Sequence, residues 1–113
     1  MYLLYKKKMS NIKLVYITCR NDKEATQIAN KLINNKLIAC ANIISKAISI
    51  FKWNKKLNKT KESILLAKTN SKKVKKIMSL VLKNHSYANP CVLFFNIEQS
   101  SQLFSRWVNN CLK

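Results

Sequence analysis

An α+β sandwich of strand and helix order βαββαβ, closed by one further C-terminal helix, is the fold class this chain predicts, on three observations. Compact strand-favouring runs alternate with stretches whose apolar residues recur at helical spacing. With 113 residues, 48% of them hydrophobic, the chain has material for one core and no second. Two successive β-α-β units with right-handed crossovers then put both principal helices on one face of a four-stranded sheet.

Taken in order, residues 1–12 read as a flexible leader, whose tetrad Tyr2, Leu3, Leu4 and Tyr5 either packs on a neighbour or frays, and 13–113 as the single folded domain. Leu14 to Cys19 is a buried central strand. Asn21 and Glu24 have capping-box spacing, and Ala25, Ile28, Ala29, Leu32 and Ile33 line one side of the helix that follows. Asn34-Asn35-Lys36 ends that helix. Leu37 to Ile44 and Ala47 to Trp53 form one long strand with a bend or bulge near Ser45, or two short ones. The polar segment WNKKLNKTKE turns the chain, and Glu62 to Lys68 returns as a strand.

Ser71 is placed to cap the second helix, with Val74, Ile77, Met78, Val81 and Leu82 along one side. Lys72, Lys73, Lys75 and Lys76 at its start oppose the helix dipole, a local cost of roughly 0.3–1 kcal/mol for a poorly placed exposed charge. Asn89-Pro90 introduces a strand over Cys91 to Ile97, and Ser100 or Ser101 caps a last helix bearing Leu103, Phe104, Trp107, Val108 and Cys111. Two helices shield only one side of such a sheet. Its other side is too apolar for water, so the last helix or another copy of the chain covers it.

Composition narrows the function. The formal charge of +18 attracts anions, but the lysines are scattered and only two arginines, Arg20 and Arg106, stand among them, so nucleic acid is expected only as a nonspecific partner. Glycine is absent, which excludes both standard nucleotide-binding loops. Of the four acids, Asp22, Glu24, Glu62 and Glu98, only the first two are close in sequence; no catalytic pair is read from them and no enzyme is expected. No apolar stretch is long enough to span a bilayer. Cys19, Cys40, Cys91 and Cys111 form no CxxC pair, and the opening run has its charges in the wrong order for a secretory leader, so a reducing cytoplasm is the expected setting. Cys19 and Cys91 read as core residues and Cys111 as exposed.

The segments ITCRNDKEATQIANKLINNKLIACANI, SIFKWNKKLNKTKESILLAKT and NHSYANP together resemble the CutA family of small trimeric divalent-cation tolerance proteins. The matching positions are Thr18; Ala25 and Ala29; Leu37, Ala39, Cys40 and Asn42; Phe51 and Trp53; Glu62, Lys68 and Thr69; His85, Tyr87 and Pro90; and Phe104 with Trp107. The resemblance covers about residues 14–112. It implies a ferredoxin-like fold, a PII-like homotrimer built through sheet edges, and copper or another divalent cation held by Cys40 and His85. Departures are local: the family's Trp-x-Gly turn reads Trp53-Asn54-Lys55, and Ser86, Ala88 and Cys91 stand where the family has proline and two acidic residues.

His85 is the only histidine, and imidazole suits copper or zinc at neutral pH. Cys40 offers a soft thiolate, and Glu62 adds an oxygen ligand or orients the site. Against these stand a structural or interfacial His85 and a Cys40 that packs as a small hydrophobe between alanines. Trp53, Glu62, Lys68 and Tyr87 form an alternative site, an intersubunit cleft with an aromatic floor for a small ligand or a partner's tail; otherwise they are interface core, with Glu62 paired to a lysine. A PII-like signalling scaffold and a lysine-driven anion binder are the competing functions.

Overall fold

A computed structural model of the chain describes residues 10–113. The order is β1 (Ile12–Cys19), α1 (Asp22–Asn34), β2 (Cys40–Trp53), β3 (Lys56–Asn70), a single 3-10 turn (Ser71–Lys73), α2 (Val74–Asn84), β4 (Val92–Asn96) and α3 (Gln102–Cys111). The strands form one antiparallel sheet in the order β2-β3-β1-β4, the split βαβ arrangement of the ferredoxin-like fold. β1 starts at Ile12, two residues before the expected Leu14, because Ile12 is buried and pairs with Asn70. Of the leader, residues 1–9 and with them the Tyr2–Tyr5 tetrad lie outside the described residues; Ser10 donates its backbone N–H to Glu98 O at 3.2 Å.

Side chains alternate between faces along each strand. Val15, Ile17 and Cys19 of β1 and Leu65 and Ala67 of β3 point to the helix side, where Ala25, Ile28, Ala29 and Leu32 of α1 and Ile77 and Val81 of α2 close the main core. Thr69 is buried beside them and donates its hydroxyl to Leu37 O at 2.6 Å, which pins the segment between α1 and β2. α3 sits on the other face but reaches only its Ile12 end, where Val108 and Leu112 bury Ile12. Ile44, Leu93 and Phe95 of that face remain exposed.

The expected irregularity in the second strand is a bulge: the β2–β3 register shifts between Ile44 and Ala47, and Lys46 takes φ 59°. The polar segment after Trp53 is mostly strand rather than turn. Only Asn54 and Lys55, at φ 52° and 64°, turn the chain, and β3 begins at Lys56. Beyond Ala47 and Glu62 the two strands pair only with each other, so this ribbon has water on both sides and accepts polar residues that a sheet interior would not. Two caps also differ from expectation. Asn70 rather than Ser71 accepts the Lys72 N–H, since the chain enters α2 through the 3-10 turn. Asn21 Oδ1 accepts the Glu24 N–H at 2.9 Å as a cap should, but the Glu24 carboxylate takes the Arg20 N–H instead of completing the box on Asn21.

Candidate functional site

At the Cys19 end of β1 three ligand types converge. Cys19 is the last residue of the strand and fully buried. Glu24 arrives from the first turn of α1, its Oε1 holding the Arg20 N–H and its Oε2 the Ser86 N–H, both at 2.9 Å. His85 caps the C-terminus of α2, its own N–H donating to Val81 O at 2.9 Å, and its side chain is wholly buried. The Cys19 Sγ, a Glu24 carboxylate oxygen and a His85 ring nitrogen all lie within 4.8 Å of one another. The distance from Glu24 Oε1 to His85 Nε2 is 3.8 Å.

The backbone fixes the imidazole. Nε2 is 2.8 Å from Thr18 O, and Nδ1 accepts the Tyr87 N–H at 3.1 Å. A carbonyl can only accept and an amide N–H can only donate, so the neutral ring carries its proton on Nε2. Tyr87 leans on the ring at a centroid distance of 4.8 Å and donates its hydroxyl to Glu62 Oε2 at 2.7 Å. Burial first, then that hydrogen bond, pushes the Tyr87 phenol up to about 12. Burial also raises the Cys19 thiol to about 12, helped by the nearby charges of Glu24 and Glu62. Glu24 goes the other way: burial pushes its carboxyl up, but hydrogen bonds from Arg20 and Ser86, with the adjacent His85, outweigh that and hold it below its usual range.

The expected site residues divide. His85, Tyr87 and Glu62 come together, through the contacts just given. Cys40 pairs with Lys68 and so shares a face with Leu14, opposite the face of Cys19. Along β3 that pair stands four residues from Ile64, the partner of Thr18, or roughly 13 Å at ~3.3 Å per residue. Within one chain Cys40 and His85 are therefore separate. Trp53 and Lys68 likewise stand on opposite sides of Glu62 along β3, each roughly 20 Å away by the same rise; Trp53 is 65% exposed at the ribbon's end, and Lys68 donates to Asn42 Oδ1. Glu62 pairs with Tyr87 rather than with a lysine. Cys91 and Cys111 are both partly buried, neither core nor fully exposed.

Cys19 and Glu24 are the residues that sequence reasoning assigned elsewhere, one to the core and one to a cap. Cys19 is core as expected and Glu24 takes the Arg20 N–H in place of closing the box on Asn21, and the two meet at the site: a strand's last residue and the first turn of the next helix converge across a short connection. The donor set of thiol, carboxylate and imidazole is one a borderline-soft divalent ion accepts. Residues 13–111 match the family model described as CutA1 divalent ion tolerance protein.

This chain belongs to the CutA family.

Among its relatives, the divalent-cation tolerance protein CutA of Archaeoglobus fulgidus is 33% identical over 99 residues, spanning 88% of this chain and 96% of that one. A CutA homolog of Xenopus laevis is 36% identical over 100 residues, covering 88% of this chain and 66% of its own length. The chain spans 55–66% of the length of its frog, mouse and human relatives. The crystal structure of CutA1 from Ehrlichia chaffeensis superposes with a TM-score of 0.89 at 32% identity, over 94% of this chain and 99% of that one. The Archaeoglobus fulgidus relative and the family model are named for divalent-ion tolerance, not for a reaction. No helix among the described residues is long and apolar enough to cross a membrane.

Proposed function

We propose that this CutA-family chain is a non-enzymatic divalent-cation tolerance protein that works as a self-associated trimer and holds copper, or another borderline-soft divalent cation, at Cys19, Glu24 and His85. The observation that supports this reading is the convergence of a thiol, a carboxylate and an imidazole within 4.8 Å. The His85 ring is held in place by Thr18 O and the Tyr87 N–H, with Nε2 3.8 Å from the Glu24 carboxylate. To hold a cation through Nε2 the neutral ring would carry its proton on Nδ1 instead, giving up the Thr18 O and Tyr87 N–H contacts, and Cys19 would release its thiol proton to solvent. Cys40 enters such a site only if a neighbouring copy supplies it.

Support for self-association comes from the uncovered sheet face and from the β2–β3 ribbon, whose Ile48, Ile50, Trp53 and Leu57 are exposed. Two-stranded ribbons of this kind are marginal alone in water. A reducing cytoplasm suits four cysteines that are all free.

Calorimetric titration with Cu(II) tests the site. Cys19→Ser and His85→Ala are expected to weaken binding by about 100-fold or more, as loss of a direct ligand does. Cys40→Ser is expected to leave it within about threefold if the cation sits inside one chain. Parent-like binding by both Cys19→Ser and His85→Ala overturns the assignment, and a large loss in Cys40→Ser points to ligands shared between copies.

A further inference from the structure

A second concavity opens beside the bulge, at the start of α1. It has a volume of about 330 Å3 and is lined by Arg20, Lys23, Lys46 and Lys61, with Asp22 and Glu62 the two carboxylates facing it. Both carboxylates accept hydrogen bonds from neutral donors, and the Lys46 charge also acts on Asp22. Asp22 accepts the hydroxyls of Ser63 at 2.5 Å and Ser45 at 2.7 Å, and Glu62 accepts that of Tyr87 at 2.7 Å. None of the four cations makes an ion pair with a described residue.

The cations come from separate places: Arg20 from the end of β1, Lys23 from the first turn of α1, Lys46 from the bulge and Lys61 from the ribbon. Lys46 holds a left-handed backbone, which costs about 1 kcal/mol for a residue with a Cβ. A bulge re-aims side chains, and here the bulged lysine lies at the cavity. The positive end of the α1 dipole adds to the same potential. Four cations against two carboxylates leave the lining net positive, which attracts anions.

We propose that this cavity binds the phosphate group of a phosphorylated small molecule. Arg20 supplies a planar fork and the lysines point charges, the combination that recognises phosphate oxygens. The volume lies at the lower end of the ~300–1,000 Å3 range of small-molecule sites. It leaves room for a small organic part beside the phosphate.

The metal-free chain, titrated with inorganic phosphate and separately with glycerol 3-phosphate in about 0.15 M sodium chloride, tests this by calorimetry and by NMR of the lysine and arginine side chains. Saturable binding is expected, with shifts at Arg20, Lys46 and Lys61 and tighter binding of the ester. Lys46→Gln with Lys61→Gln should weaken it by about tenfold, whereas Lys72→Gln with Lys76→Gln, which removes equal charge from α2 and its leading turn, should change it by less than about twofold. Equal losses in the two double variants, or non-saturating shifts, overturn the proposal in favour of diffuse charge. An ester that binds no tighter than inorganic phosphate overturns the small-molecule assignment.

Discussion

Around His85 the polar atoms are matched one to one: Nε2 to Thr18 O, Nδ1 to the Tyr87 N–H, and the Glu24 oxygens to the Arg20 and Ser86 amides. Among the described residues no buried side-chain polar atom lacks a partner. This local order makes two carboxylates sensitive to acid. Hydrogen bonds from Ser63 and Ser45 hold Asp22 below its usual 3.8, and Glu24 is held below its usual 4.5 by the contacts already described. A lowered carboxylate contributes stability that is fully present above its usual value and is lost as pH falls through the lowered one. Urea midpoints of the metal-free chain should therefore be flat down to about pH 5 and fall steadily below about pH 4. In Asp22→Asn with Glu24→Gln much of that fall should disappear; an unchanged slope would assign it to other groups.

At the scale of the element, the β2–β3 ribbon carries the clearest conflict between sequence and backbone. Asn54 and Lys55 both take positive φ, which matches the primed two-residue hairpin turn whose favoured pair is Asn-Gly. Asparagine suits its position and lysine does not. The left-handed cost of roughly 1–2 kcal/mol at Lys55 exceeds the ~0.4–1 kcal/mol by which a glycine's freedom favours the unfolded chain. Lys55→Gly is accordingly expected to raise stability by roughly 0.5 kcal/mol and Lys55→Val to lower it by 1 kcal/mol or more, measured by urea unfolding. A destabilising Lys55→Gly would mean that the lysine side chain supports the ribbon through contacts outside one chain.

For the whole molecule, the second sheet face decides behaviour in solution. α3 buries only its Ile12 end, leaving Ile44, Leu93 and Phe95 in water together with the ribbon's apolar residues. Against association stands the charge of +18, which makes copies repel. Burying a side chain such as Leu or Phe is worth about 1.5–3 kcal/mol each, whereas repulsion between exposed charges is screened within about 8 Å at physiological salt. Hydrophobic burial should win there. Sedimentation at micromolar concentration is expected to show an oligomer that tightens as salt rises from about 0.02 to 0.2 M, and Phe95→Lys should shift it toward the single chain. A parent that stays a compact monomer at both salt concentrations would show that this face tolerates water.

The sequence by itself determined the element order, the buried stripe of the first helix, an irregularity near Ser45 and the family, because each rests on local periodicity, turn chemistry or motifs spaced along the chain; that the irregularity is a bulge, and that Leu82 and Leu103 are exposed, only the tertiary structure decided. Cap assignments such as Ser71, and the reading of WNKKLNKTKE as a turn, erred where a neighbouring residue or an exposed ribbon changed what the backbone could do. The candidate site was legible in part. His85, Glu62 and Tyr87 could be named from their types and motif, but the contribution of Cys19 and the separation of Cys40 could not. Both depend on which sheet face a strand residue occupies and how far along the ladder it sits, and pairing between strands distant in sequence, which only the tertiary structure supplies, decides both.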